Sequence, residues 1–302
     1  MRKVLVYGAT GDQGHPLMRR LIDAGLEVRI ATRNPQSFSG GEFSEVEAVY
    51  ADFNDQTSLI AASKGVDGIA MNLPFVFDVD YARHMANAIL TAAVQENVKK
   101  VVFNTSCVVM DHDLDLSAHD GRRAIEAEIE KSGLSYAVIR STVFMDNMSR
   151  AWVKPSIVTK DVFAYPASET LKVSWVCLDD VAKCMVAALS DPAIKAEKIL
   201  VGGPEALTGF EVAAMLSKEL GREITFKSLE PINFAKSMSK LVTGSEVIQP
   251  GSVYLGMSKF YAWYNACETS PLIADASIVQ EKLGVKLTPF SEWLKRIDWS
   301  VV

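Results

Sequence analysis

Seven residues near the start of the chain, Gly8-Ala9-Thr10-Gly11-Asp12-Gln13-Gly14, limit its possible folds more than any other segment. They follow an apolar run at residues 3–7. They precede a stretch in which Leu17, Met18, Leu21 and Ile22 share one helical face, with Pro16 in the first turn and Gly25 placed to end it. A glycine-rich turn between a buried strand and a helix lets a backbone come close to a pyrophosphate. Gly8 permits the sharp turn, Gly11 keeps the approach free of a Cβ, and Gly14 lets the helix pack on the strand. The helix N-terminus adds amide donors. The spacing is G-x-x-G-x-x-G, so the flanking strand and helix carry as much of the argument as the glycines do. Gly8, Thr10, Gly11, Asp12, Gln13 and Gly14 are therefore expected to form the phosphate side of a dinucleotide site.

The first half of the chain continues the same alternation. Strands are expected at residues 26–32, 46–50, 66–73, 100–106 and 136–140, and helices at 57–64, 81–96 and 122–131. The helix at 81–96 turns Met85, Ala88, Ile89, Ala92 and Ala93 to one side. Strands alternating with helices of this length are βαβ units, which build a parallel sheet covered on both faces. The expected class is α/β: a Rossmann doubly wound parallel sheet over residues 1–150, and a smaller C-terminal α+β substrate lobe over 151–302. Segments near 173–178 and 198–201 read as later strands interleaved with the first domain. Thr208 and Glu211 form a capping box for a helix at 209–219, which Gly221 ends. A strand at 223–226 and a helix from Pro231 to about residue 241 follow.

Composition excludes several alternatives. With 31 basic and 37 acidic residues the net charge is −6, so no concentrated basic face is expected and nucleic acid is not an expected partner. A chain of 302 residues, 49% hydrophobic and 23% charged, is long enough to bury a core without disulfide or metal staples. No apolar run is long enough for a membrane span, and the one at the N-terminus is too short for a signal peptide, so a cytoplasmic protein is expected. Cys107, Cys177, Cys184 and Cys267 are widely spaced and read as reduced, buried thiols. In so acidic a chain, attraction for an anionic cofactor has to be local.

The end of the second strand selects the nucleotide. An NAD site usually places an acid about 20 residues after the turn. This chain has Ala31-Thr32-Arg33-Asn34-Pro35 there. Arg33 offers a planar fork for a 2′-phosphate, and Thr32 or Asn34 can add hydrogen bonds, so NADP(H) is expected over NAD(H). Asp52, after the third strand, is placed either to meet the adenine amino group or simply to shape a turn beside Asn54 and Asp55. Asn72-Leu73-Pro74, after the fourth strand, would border the nicotinamide ribose.

Taken with Asn104 to Ser106, Ser132 to Arg140, Phe144 to Asn147, Val173 to Val181 and Gly202 to Thr208, these motifs resemble the NmrA-like branch of atypical short-chain dehydrogenases over roughly residues 1–240. The resemblance implies a Rossmann domain, a small C-terminal substrate lobe and NADP(H) binding. That family holds quinone and isoflavone-type reductases, and also redox-sensing regulators that bind NADP without turning it over. Carbonyl-reducing members of the wider superfamily use a Ser with a Tyr and Lys spaced Y-x-x-x-K. Here Arg122 stands where related reductases carry Lys, and Ala118 stands where the Tyr would be, so the pair is absent.

The catalytic candidates are then His119, as acid or substrate contact, and Ser106 near the expected serine, with Thr105 and Cys107 as register alternatives. Arg122 is expected as a contact to the nicotinamide ribose and not as a proton shuttle. The carboxylates and imidazoles from Asp111 to Asp120 read as a polar loop over the cofactor, and no metal is expected. Phe144, Asn147, Tyr165 and Trp175 are the expected substrate pocket, with Met145, Trp152, Phe163, Phe260, Tyr261, Trp263 and Tyr264 as further candidates. The same side chains would serve equally as lobe core. Two functions follow. One is an NADPH-dependent reductase of an aromatic or quinone-like acceptor (quinone, enone or isoflavone-like). The other is a catalytically inactive NADP(H)-binding redox sensor acting through a regulatory protein partner. The missing Tyr favours the sensor; the aromatic-rich lobe favours the reductase.

Overall fold

The computed structural model describes residues 1–38 and 41–300. Its first half runs β1 (Lys3–Tyr7), α1 (Gly14–Asp23), β2 (Glu27–Thr32), β3 (Glu47–Tyr50), α2 (Gln56–Ser63), β4 (Gly68–Met71), α3 (Val79–Gln95), β5 (Lys100–Asn104), α4 (Ser117–Lys131) and β6 (Ser135–Ser141). The second half runs α5 (Lys154–Lys160), β7 (Val162–Tyr165), β8 (Val173–Ser174), α6 (Leu178–Ser190), β9 (Ala196–Val201), β10 (Ala206–Leu207), α7 (Gly209–Leu220), β11 (Thr225–Ser228), α8 (Pro231–Thr243), α9 (Val253–Ala266), α10 (Ala276–Leu283) and α11 (Phe290–Leu294).

Seven strands form one parallel sheet in the order β3-β2-β1-β4-β5-β6-β9. The order reverses between β1 and β4, which opens a crevice at the carboxyl ends of the strands, where α/β sheets bind ligands. Both faces of the sheet are apolar and covered, as a parallel sheet requires. Leu17, Met18 and Leu21 of α1 pack with Val181, Met185 and Leu189 of α6 and Val279 and Leu283 of α10 on one face. Leu59 of α2, Ala82 and Ile89 of α3, and Ile125 and Ile129 of α4 cover the other. A third core lies in the lobe around Phe163, Tyr165, Trp175, Leu216, Phe290 and Trp293.

The later half does not stay in the lobe. The strand expected near 198–201 is β9, and it joins the main sheet beside β6. The strand near 173 does not: Val173 and Ser174 pair antiparallel with β10, because β9 already occupies the free edge of β6. A bridge from Phe144 to Val176 and the Thr142 hydroxyl bond to the Ser174 carbonyl link that segment to the continuation of β6. Helix α4 begins at Ser117, five residues before the periodicity predicts, because its buried face carries the polar His119, Arg122 and Glu126. The capping box of Thr208 and Glu211 is formed as expected.

Candidate functional site

The crevice beyond β1, β2, β3 and β4 is a cleft of about 640 Å³. Gly8, Thr10, Gly11, Asp12, Gln13, Thr32, Arg33, Asp52, Asn72, Leu73 and Pro74 all line it. An adjoining cavity of about 580 Å³ shares Thr10, Thr32 and Arg33 and adds Asn34 and His15. The three glycines have different duties. Gly8 has φ +73°, and a Cβ there would sit 2.1 Å from the Asn72 carbonyl oxygen. A Cβ on Gly14 would lie 2.3 Å from the Gly8 and Ala9 carbonyl oxygens, so Gly14 is the packing glycine and does not line the cleft. A Cβ on Gly11 would meet nothing closer than the Gly8 oxygen at 3.6 Å, so the protein's own packing leaves that face open.

A polar network ties the turn to the neighbouring strand ends. Buried Asn104 donates from Nδ2 to Gln13 Oε1 at 2.6 Å and to Asn72 Oδ1 at 3.1 Å. Its Oδ1 accepts from the Ser106 amide at 3.0 Å and the Ser141 hydroxyl at 2.8 Å. Within the turn, Gly11 donates to Gly8 and accepts from Gly14 and His15; among the described residues no backbone oxygen takes the amides of Asp12 and Gln13. Buried Asn72 Nδ2 has no partner either. Arg33 makes no ion pair among the described residues, although it borders both cavities. Open amides, an orphaned amide nitrogen and an uncompensated guanidinium along one cleft fit an extended anionic ligand such as a dinucleotide. Asp12 does not cancel this field, because Arg150 pairs with it at 3.1 Å. Asp52 borders the cleft while its Oδ1 accepts from the Asn54 amide at 2.9 Å, so it shapes a turn as well.

Arg122 sits behind this cleft and is 2% exposed. Its Nη2 donates to the Leu73 carbonyl at 2.7 Å, while Nε and Nη1 have no partner. The Phe75 ring covers the guanidinium at 4.1 Å. Glu126, one turn along α4, offers no compensation, because Arg140 binds both its oxygens at 2.9 and 2.6 Å. Burial pushes the Arg122 pKa down to about 10, which leaves it charged at neutrality. Holding the loop after β4 by its carbonyl is thus a positioning role.

Across Phe75 lies a second cavity, of about 210 Å³, whose walls are mainly apolar. Phe144, Asn147 and Ser106 line it, as does Ala118, the position where the resemblance would put a Tyr. Residues not anticipated from the sequence as lining are Phe75 and Phe77 of the β4–α3 loop, Thr142 and Val143 after β6, and Val253, Gly256 and Met257 of α9. Phe260, Tyr261 and Tyr264 of α9 also line it, whereas Trp263 packs on His119 with ring centres 6.3 Å apart. The Thr105 hydroxyl turns inward to the Cys107 carbonyl at 2.5 Å, with the Ile139 carbonyl at 3.2 Å, which leaves Ser106, at φ +61°, facing the cavity. The Ser106 hydroxyl donates to Gln13 Oε1 at 2.9 Å. Burial pushes the Cys107 thiol up to about 12, so it is no thiolate nucleophile.

Three expected site residues lie elsewhere. His119 is fully buried: the Met110 amide donates to its Nε2 at 2.8 Å, so the ring proton is on Nδ1 and points to Asp120 Oδ1 at 2.7 Å. Burial outweighs the Asp120 hydrogen bond and holds its pKa below the usual imidazole value. A neutral ring with both nitrogens engaged cannot be the proton donor expected from its pKa class. Trp175 is lobe core, packed on Phe163 and Tyr165, and does not reach the cavity. Tyr165 stands behind the wall and reaches it only through its hydroxyl, which accepts from Asn147 Nδ2 and is hydrogen-bonded to the Tyr261 hydroxyl. Among the described residues no three His, Cys, Asp or Glu side chains converge as a metal site, and no helix is long and apolar enough to cross a membrane.

Comparison with known proteins places this geometry in context. The model of the NmrA-like family matches residues 1–294. An NAD(P)H azoreductase of Xenophilus azovorans is 28% identical over 260 residues, 86% of each chain. A (4-alkanoyl-5-oxo-2,5-dihydrofuran-3-yl)methyl phosphate reductase of Streptomyces griseus is 29% identical over 293 residues, 96% of each chain. An NADPH-dependent quinone oxidoreductase of Escherichia coli, solved in complex with NADPH, has the same fold, with a TM-score of 0.77 at 19% identity over 97% of this chain and 99% of that one.

Proposed function

The chain belongs to the NmrA-like family, and from that premise we propose that it is an NADPH-dependent reductase of a small, flat organic acceptor of the quinone or enone type. The observation that carries this reading is the position of Phe75. It lines both the dinucleotide cleft and the aromatic cavity, so a cofactor ending at the loop after β4 would lie against whatever fills the cavity. The relatives named for reducing an azo compound and a dihydrofuran, and the structural neighbour named for quinones, support the same chemistry.

In this reading Arg33 holds the 2′-phosphate, the amides of Asp12 and Gln13 meet the pyrophosphate, Asn72 offers its unpaired donor on the ribose side, and Arg122 holds the Leu73 carbonyl behind it. NADPH, when bound, would supply a hydride to the acceptor, and solvent would supply the proton that completes the two-electron reduction. The protein's contribution is to orient a flat acceptor between aromatic walls. Neither His119 nor a thiolate takes part.

The test follows NADPH absorbance in the near ultraviolet with a panel of quinones, enones and azo dyes. One NADPH should be consumed for each two-electron reduction, with NADPH preferred to NADH. A protein that binds NADPH and oxidises it with no member of the panel overturns the reading.

A further inference from the structure

Building on that reading, we propose that Tyr261 recognises the carbonyl oxygen of the acceptor, its phenolic hydrogen donated into the aromatic cavity by a directed Asn147–Tyr165–Tyr261 chain. The argument is an inventory of hydrogens. The Tyr165 hydroxyl lies 2.7 Å from the Tyr261 hydroxyl and 3.2 Å from Asn147 Nδ2. Asn147 Nδ2 can only donate, so Tyr165 accepts from it. Tyr165 is 1% exposed, and the remaining partner for its own hydrogen is the Tyr261 oxygen. The opposite order, with Tyr261 donating to Tyr165, would strand the Tyr165 hydrogen inside the lobe core, which is the costlier arrangement. The satisfied order runs Asn147 to Tyr165 to Tyr261 and leaves the Tyr261 hydrogen without an acceptor among the described residues, on a side chain that lines the cavity.

Of the other hydroxyls at the cavity, that of Tyr264 has no acceptor among the described residues and is the one competing donor, which its Phe variant tests below, and the remaining two are spent. Ser106 gives its hydrogen to Gln13, and Thr142 gives its own to the Ser174 carbonyl. Each bond in the chain polarises the next, so the terminal donor is stronger than an isolated phenol. Burial holds both Tyr165 and Tyr261 in the protonated form. The chain starts on an amide that cannot pass on a proton, so Tyr261 offers a hydrogen bond and keeps its proton. A donor of this kind set in apolar walls calls for a flat, conjugated ligand with one acceptor oxygen, and it discriminates against a hydrocarbon of the same shape.

The test is equilibrium binding, read by quenching of protein fluorescence or by calorimetry, of 1,4-naphthoquinone and of 1,4-dimethylnaphthalene to the NADP⁺-loaded protein. The wild type should prefer the quinone by about three- to tenfold, the worth of one neutral hydrogen bond. Tyr261→Phe should abolish the preference with dimethylnaphthalene affinity unchanged, and Tyr165→Phe should reduce it in part. No preference in the wild type, a preference that survives Tyr261→Phe, or one lost in Tyr264→Phe and kept in Tyr261→Phe overturns the assignment. If Tyr261→Phe loses both ligands, Tyr165→Phe decides: an undiminished preference overturns the chain, and a reduced one supports it. None of these measurements needs turnover. A preference that behaves as expected in a protein that oxidises no NADPH would therefore sink the reductase reading and leave this one standing.

Discussion

The dinucleotide cleft and the aromatic cavity meet at Phe75 and are built in opposite ways. The cleft is made where β1, β2, β3 and β4 end, from residues 7 to 85, and main-chain geometry shapes it: a positive φ at Gly8, an uncovered Gly11, unpaired amides at Asp12 and Gln13. The cavity is assembled from side chains that the fold gathers from residues 75 to 264, and its character comes from aromatic rings. Backbone geometry tolerates few residue types, so the cleft can serve one ligand class across many chains. Side-chain walls can be rebuilt one residue at a time, so the cavity is where one member of a family comes to differ from another.

The sharpest way to break this contrast is at the glycines. Gly8→Ala puts a Cβ 2.1 Å from the Asn72 carbonyl in a left-handed backbone. It should cost more than about 3 kcal/mol in urea unfolding and abolish NADPH binding. Gly11→Ala meets only the Gly8 oxygen, at 3.6 Å, so stability should stay within about 0.5 kcal/mol of the wild type. Cofactor affinity should nonetheless fall by about a hundredfold, because the methyl occupies the pyrophosphate's approach. If Gly11→Ala binds NADPH normally, the cleft is not shaped by backbone in the way argued.

Arg33→Ala comes next. It should weaken NADPH by about ten- to a hundredfold, the worth of a charged hydrogen bond, and leave NADH unchanged in fluorescence titration. Equal losses for both cofactors would place Arg33 away from the 2′-phosphate. On the other side of Phe75, Gly256→Ala would set a Cβ 1.9 Å from the Phe77 ring, a contact that a side chain can relieve by moving. The acceptor KM should rise several-fold while NADPH affinity stays the same, the signature of a wall that gives. A parallel loss of cofactor affinity would show that the two cavities are mechanically one.

The same contrast explains what could be read from the sequence. Gly8 to Gly14 and Arg33 were legible because turn chemistry and the strand-to-helix switch are local, and each requirement falls on a residue within the motif. The wall formed by α9 was not. Its sequence, Val253 to Ala266, is apolar almost all round, so it shows no periodic face, and Phe260, Tyr261 and Tyr264 could be named only as aromatics that might equally be core. Trp175 and Tyr165 carried the same signal and proved to be core, and nothing in their local sequence separates them from Tyr261. Phe75 directly follows Asn72-Leu73-Pro74, but no local pattern aims its ring or that of Phe77. Their place over Arg122 and against Gly256 exists only after the sheet has formed and the lobe has docked on it. The ordinary pKa of imidazole marks His119 as an acid, whereas two hydrogen bonds and burial take it out of the cavity, and none of these shows in the local sequence.

His119 supplies the smallest prediction, and it bears on the joint between the two regions. It lies on the buried face of α4 and packs against Phe260 and Trp263 of α9, with ring centres 6.5 and 6.3 Å away. Burial lowers its folded pKa below the unfolded value near 6.5. As pH falls below about 6.5 the unfolded chain takes up the proton first, so stability present above that value is lost toward the folded pKa, at no more than about 1.4 kcal/mol per pH unit. Carboxylates held below their ordinary range, such as Asp67 and Asp111, lose their contribution only nearer pH 4, and Asp146, whose carboxyl burial pushes up, acts in the opposite sense, so a loss of stability between about 6.5 and 5 reports the imidazole. Urea unfolding across that interval should show a decline in the wild type that is flattened in His119→Gln. Protonation disrupts the Met110 bond to Nε2 on the side of α4 that faces α9, so acid should weaken acceptor binding before it weakens NADPH binding. If both fail together, the aromatic wall is as firmly fixed as the backbone cleft, and the contrast between the two regions is one of sequence and not of mechanics.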